Sequence, residues 1–283
     1  MRKITAILLC LVLAFSLSSC MNIRSGDGSG ETTAVTESVT LPYTEPETTE
    51  PESETETVTE TETETTTAVT TTLPQHSPLY IEGVSTSDMI RYFAETVLSA
   101  EYGEDNGNKN LVQKWETPIR YYIHGLYSSS DAEKIDEFFD FLNTIDGFPG
   151  AKRVGLTDDF NFEIDFITRL NMEVQLRKVD ESCAAFTTFN YYTGTNNIYK
   201  TKIIYCIDIP EEQRRSVIQE EIVNGIGMAN DTEERTDSVI YQYSNYNTVN
   251  DVDTVLLKIL YSDKIKCGMD YDRAAKAIAE IYY

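Results

Sequence analysis

Between Arg24 and Arg91 the chain contains no lysine and no arginine. Inside that gap, residues 31–72 hold 18 threonines in 42 positions, interleaved with glutamate and broken by Pro42, Pro46 and Pro51. A segment with so little to bury cannot offset the entropy of ordering itself, and its like charges repel along its length. The gap therefore divides the chain. Residues 21–77 read as a disordered tether, and any core must come from residues 78–283, which are numerous enough to build one. The tether carries a net −11, from Asp27 and eleven glutamates against Arg24, and residues 78–283 carry −15 of the chain's −24.

The first twenty residues read as a targeting segment. Met1-Arg2-Lys3 is a short positive start, Ile4 to Leu17 is almost wholly apolar but short for a membrane span, and Leu17-Ser18-Ser19-Cys20 closes it. Small residues before a cysteine resemble the cleavage box of a bacterial lipoprotein. The expectation is a signal peptide over 1–20, lipidation of Cys20 and anchorage at the extracytoplasmic face of the cell membrane. Acyl chains hold firmly there, since each buried CH₂ contributes about 0.8 kcal/mol. The acidic balance argues against nucleic acid, which needs a basic surface to release phosphate counterions. The partners expected are the membrane, through Cys20, and a protein, peptide or cell-wall component that the composition does not name.

Residues 78–283 alternate between helical and extended patterns. Ser85 and Asp88 have capping-box spacing ahead of an apolar stripe at Ile90, Phe93, Ala94, Val97 and Leu98, with Gly103 following the helix. Residues 117–124 alternate Ile119, Tyr121, Ile123 against Arg120, Tyr122, His124, as a half-buried strand does. Ser129 or Ser130 is placed to cap a second helix that stops at Gly147. Phe162, Ile164 and Phe166 form another strand, 168–178 a short helix, and 185–192 with 198–209 a hairpin. Helices follow at 211–226, 251–261 and from Asp270 to the end, with a short strand at Ser238–Tyr243. Strands mostly precede helices, which predicts an α+β fold with a mixed or antiparallel sheet and an edge hairpin.

The helix at 211–226 holds Glu220-Glu221-Ile222-Val223-Asn224-Gly225-Ile226-Gly227. A zinc peptidase of the zincin type has His-Glu-x-x-His-x-x-Gly, in which two histidines one turn apart face a metal and the glutamate acts as general base. Here Glu221 takes the base position and Gly227 the turn position, while Glu220 and Asn224 stand where the histidines would be. Asn230 and Asp231 follow where a third ligand would come.

On these residues, together with Lys114 to Arg120, Asn161-Phe162, Arg215 to Gly227 with Asn230-Asp231, and Asp253 to Met269, the chain resembles an uncharacterised bacterial domain family related to zincins, with Glu-Glu-x-x-Gln in place of His-Glu-x-x-His. The resemblance implies a zincin-like domain over 78–283 and supplies no activity. Zinc prefers imidazole and thiolate, and the chain has only His76, in the tether, and His124, on another strand. Zinc is therefore not expected, and no cofactor is. The residues leave two readings. In the first, Glu220 and Glu221 are a structural acidic pair, neutralised by Arg214, Arg215 or lysines, in a non-catalytic binding or scaffold module. In the second, Glu220, Asn224, Asn230 and Asp231 bind Ca²⁺ or Mg²⁺ through oxygen, with Glu221 catalytic in a hydrolase.

Three cysteines remain in the folded part. Cys183 and Cys206 flank the hairpin loop almost symmetrically, which predicts a disulfide in an oxidising compartment and leaves Cys267 free. The 18 tyrosines read mainly as strand-face residues, and Trp115 as a core anchor.

Overall fold

A computed structural model describes residues 16–18 (backbone only), 76–98, 111–176, 183–241 and 248–283. Cys20, residues 21–75 of the tether and Gly103 lie outside the described residues.

The elements follow in chain order. A short strand β1 (Ser16–Ser18) precedes the tether; α1 (Thr86–Phe93) runs into a π turn (Ala94–Leu98). Then come β2 (Lys114–Trp115), β3 (Ile119–Gly125), α2 (Ser129–Asn143), β4 (Ala151–Arg153), β5 (Phe162–Ile167) and α3 (Arg169–Leu176). The hairpin β6 (Ala185–Tyr191) and β7 (Asn197–Cys206) leads directly into α4 (Glu211–Gly225), and α5 (Asp251–Tyr261) and α6 (Tyr271–Tyr282) finish the chain. The fold is α+β, as the order of patterns predicts.

The sheet runs β1-β6-β7-β5-β3-β4, with β2 pairing the start of β7. It is more parallel than expected. The β3–β4, β3–β5, β5–β7 and β2–β7 pairs are all parallel, and only β6 and β1 run against their neighbours. Strand pattern cannot reveal this, because direction is set by the connections: α2 carries the chain back to start β4 parallel to β3, and β6 runs back along the sheet so that β7 starts parallel to β5. Parallel sheets are usually covered on both faces and read as continuous apolar runs. Here β3 alternates buried and half-buried residues, because α2 and α4 cover one face while α3 covers only part of the other.

On the covered face, Tyr121 stacks on Phe139 of α2 (4.1 Å), Phe139 meets Phe162 edge-on, and Phe166 stacks on Tyr205. The caps are largely legible in the sequence. Ser85 and Asp88 form the expected box on α1. The cap of α2 is Ser128 rather than Ser129 or Ser130, because the box needs an acid three residues on, and Asp131 supplies it. The strand expected at Ser238–Tyr243 is absent over its described residues: 238–241 are turns with one isolated bridge, Thr232 to Tyr241, and the remainder lies outside them.

The cysteines differ from expectation. No disulfide joins Cys183 to Cys206. Ala185 pairs with Tyr205, and the Cys206 amide donates to the Ala184 carbonyl, so the register puts Ala184 rather than Cys183 across from Cys206. Both thiols pack in a small apolar cluster with Ile167, Met172 and Ile204, where the Cys183 thiol donates to the Ala185 carbonyl (3.1 Å).

Candidate functional site

The motif helix α4 is largely buried although two thirds of its residues are polar. Glu221 is 0% exposed, Asn224 3% and Glu220 5%. A helix with this composition would lie on the surface by pattern alone; tertiary packing overrides that preference. The sheet covers it on one side and α2 on the other.

Two glycines permit this depth. A Cβ on Gly225 would lie 2.8 Å from a Thr201 methyl and 3.0 Å from the Phe162 ring, so only glycine lets the helix end settle onto the sheet. Gly227, at φ +122°, turns the chain where a Cβ would strike the Gln113 carbonyl at 2.3 Å. Side chains from other elements then satisfy the last carbonyls of α4. Trp115 Nε1 (3.1 Å) and Thr201 Oγ1 (2.9 Å) donate to the Gly225 carbonyl, and the Tyr261 hydroxyl donates to that of Ile226 (2.8 Å). Trp115 is thus an anchor, as its sequence context suggests.

Glu221 points at the hairpin. The Thr187 hydroxyl on β6 donates to Glu221 Oε2 and lies 3.2 Å from its main-chain carbonyl. The acids of the motif are felt by Tyr205, whose phenol is raised well above its usual range by burial and then by the charges of Glu221, Glu220 and Asp131. The arginines expected to neutralise the motif go elsewhere. Arg214 grips Asp131 through Nε (2.8 Å) and Nη2 (3.0 Å), and Arg215 reaches Glu211 and Ser130 on the exposed side. Burial alone would raise the Asp131 carboxyl, but Arg214 and the Ser128 cap outweigh it and hold it below its ordinary value.

The residues after the motif dock on the π turn. Asn230 Nδ2 donates to the carbonyls of Glu95 and Asp231 (both 2.9 Å), and its amide donates to the Thr96 carbonyl. Glu95 in turn accepts from the Glu233 amide (3.1 Å). The apolar stripe at Ala94, Val97 and Leu98 fits a continuing α-helix, and the extra residue of a π turn leaves no periodic trace. Further on, Arg235 is buried against Asp253 (2.7 Å) and lies over the Tyr92 ring, which ties this loop to the start of α5.

Glu220, Glu221 and Asp231 do not gather into a metal-sized group. Among the described residues, one set of three His, Cys, Asp or Glu side chains offers ligand atoms all within 4.8 Å of one another, and it is elsewhere: His124, Glu163 and Asp165. These stand on the open face of β3 and β5. His124 lies 3.1 Å from Glu163 and 3.3 Å from Asp165, and Lys202 on β7 approaches Glu163 at 3.0 Å and Asp165 at 3.9 Å. Burial would raise the Glu163 carboxyl, but Lys202 and His124 lower it overall. The Lys202 ammonium already stands where a cation would serve both carboxylates, so a metal ion there would have to displace it. Sequence reading registers His124 only as distant from the motif. The available signal was that outward positions on three separate strands are all ionisable, but strand adjacency is needed to join them.

The fold and site define a class: an α+β domain with a buried, acid-rich motif helix laid beneath the antiparallel edge hairpin of an otherwise parallel sheet. The chain belongs to the family described as a protein of unknown function, DUF2927, whose pattern matches residues 86–280. A search of curated proteins finds no match.

Proposed function

We propose that this is a membrane-tethered lipoprotein whose DUF2927 domain is a zincin-like frame used for binding rather than catalysis. The observation that carries the reading is the sealing of Glu221. The residue in the general-base position is fully buried and accepts a hydrogen bond from Thr187, with Glu220 and Asn224 in place of metal-binding histidines. A carboxylate so placed has no metal-bound water to deprotonate. The mixed sheet with its edge hairpin, and the motif helix directly after β7, support the zincin-like frame. The natural docking place is the outer edge of β6. That edge accepts an antiparallel strand, since Ser16–Ser18 pair with Phe189, Thr188 and Thr187. Removal of a signal peptide over 1–20 bares it for an extended segment of a partner.

The test uses the full mature chain. Metal content by mass spectrometry and casein cleavage are compared with those of Glu221→Gln. The expected result is no bound zinc, no cleavage and unchanged partner capture. One equivalent of zinc, or cleavage lost in the variant, overturns the reading. The second reading, a hydrolase with a Ca²⁺ or Mg²⁺ centre at Glu220, Asn224, Asn230 and Asp231, has one observation in its favour: Asn224 Oδ1 is buried without a hydrogen-bond donor. A rise in melting temperature with millimolar Ca²⁺ or Mg²⁺ that is lost in Asn224→Leu would favour it.

A further inference from the structure

A cleft of about 240 Å³ lies on the α2 side of the motif helix, away from Thr187. It is lined by Lys134, Glu137, Phe138 and Phe141 of α2, Gln219 of α4, and Thr248 and Val249 ahead of α5. The α2 residues fall at spacings of three, one and three, so one face of that helix forms a whole wall. Gln219 is only 5% exposed, and its Oε1 is buried with no hydrogen-bond donor. Buried carboxamide oxygens are nearly always paired, and this one belongs to a side chain that lines the cleft, where a small turn of the carboxamide would bring it to a ligand.

We propose that this cleft is a binding site for a phenol ring, the side chain of a tyrosine or a free para-substituted phenol. Three properties select that chemistry. The volume is below the roughly 300–1,000 Å³ of sites for drug-sized ligands and cofactors, which leaves room for a single ring. Phe138 and Phe141 stand 5.7 Å apart and near parallel, an apolar wall suited to offset or edge contact with another ring. A hydroxyl can donate to Gln219 Oε1 and accept from the amide of the same group, whereas a plain hydrocarbon leaves the oxygen unpaired. Lys134 and Glu137 contribute opposite charges, so they favour a neutral ligand over an anion or a cation.

The experiment titrates the full mature chain with p-cresol, with toluene and with N-acetyl-tyrosine amide, by calorimetry or saturation-transfer NMR. p-Cresol is expected to bind on the order of 1 mM, as befits so small a ligand, and several-fold more tightly than toluene. Gln219→Leu should weaken p-cresol roughly five- to tenfold, the fold-change of one neutral hydrogen bond, and leave toluene unchanged. This variant removes an unpaired polar group and so should melt no lower than the parent; Gln219→Met serves as a second isosteric check. Binding of the tyrosine amide alongside p-cresol identifies a peptide side chain as the source, and its exclusion while p-cresol binds identifies a free phenol. Equal binding of p-cresol and toluene, no binding at 10 mM (about ten times the expected constant), or p-cresol affinity untouched by Gln219→Leu overturns the proposal.

Discussion

The two faces of the sheet treat charge in opposite ways. On the covered face two buried acids have a dedicated partner from another element: Arg214 for Asp131, Thr187 for Glu221. On the open face His124, Glu163, Asp165 and Lys202 share one another in a network that water reaches. On the covered face the cost of burying Asp131 is offset only while Arg214 and Ser128 are in place, so a lost partner leaves a stranded charge. On the open face Glu163 and Asp165 face both His124 and Lys202, each about a third exposed, so a lost partner leaves the other in place at smaller cost.

This contrast can be broken from its strongest point downward. Arg214→Ala should destabilise the fold by about 3–5 kcal/mol in chemical denaturation, since it strands the buried Asp131 carboxylate at the start of α2. A loss no larger than that of a surface pair would place solvent at this site. Thr187→Val should cost about 1–3 kcal/mol by leaving Glu221 Oε2 without its hydroxyl donor; Thr187→Ser should recover much of it.

Acid tests the same face without mutation. The Asp131 carboxyl is lowered from its ordinary value of 3.8. Its contribution is therefore complete above that value and is lost as pH falls through the lower folded value. Parent melting temperature should drop through this acid range, and Asp131→Asn should flatten that part of the curve.

On the open face, Lys202→Met should cost less than about 1 kcal/mol, and the difference should shrink in high salt. The smallest effect concerns thiols. Burial pushes the Cys267 thiol up to about 11, so its alkylation in native protein at pH 8 should run roughly two orders of magnitude slower than that of a free cysteine. Denaturation without reductant should release the domain's three thiols; two missing thiols would indicate a Cys183–Cys206 bridge despite the register.

What the sequence determined by itself is whatever depends on neighbours along the chain. The Thr/Glu tract marks off the folding region. Capping boxes, strand alternation at 119–125 and 162–167, the hairpin, and the motif helix with its turn glycine are all legible, because each rests on local spacing. Glu220, Glu221 and Asn224 are likewise legible as a variant of a known motif. What only the tertiary structure decided is what crosses between elements. The parallel direction of the sheet, the depth to which a polar helix is buried, Thr187 facing Glu221, Arg214 turning to Asp131, and the joining of His124, Glu163, Asp165 and Lys202 all depend on strand order and register. A one-residue shift in register moves every side chain of a strand to the other face, and no periodicity within a single strand records which neighbour it will have.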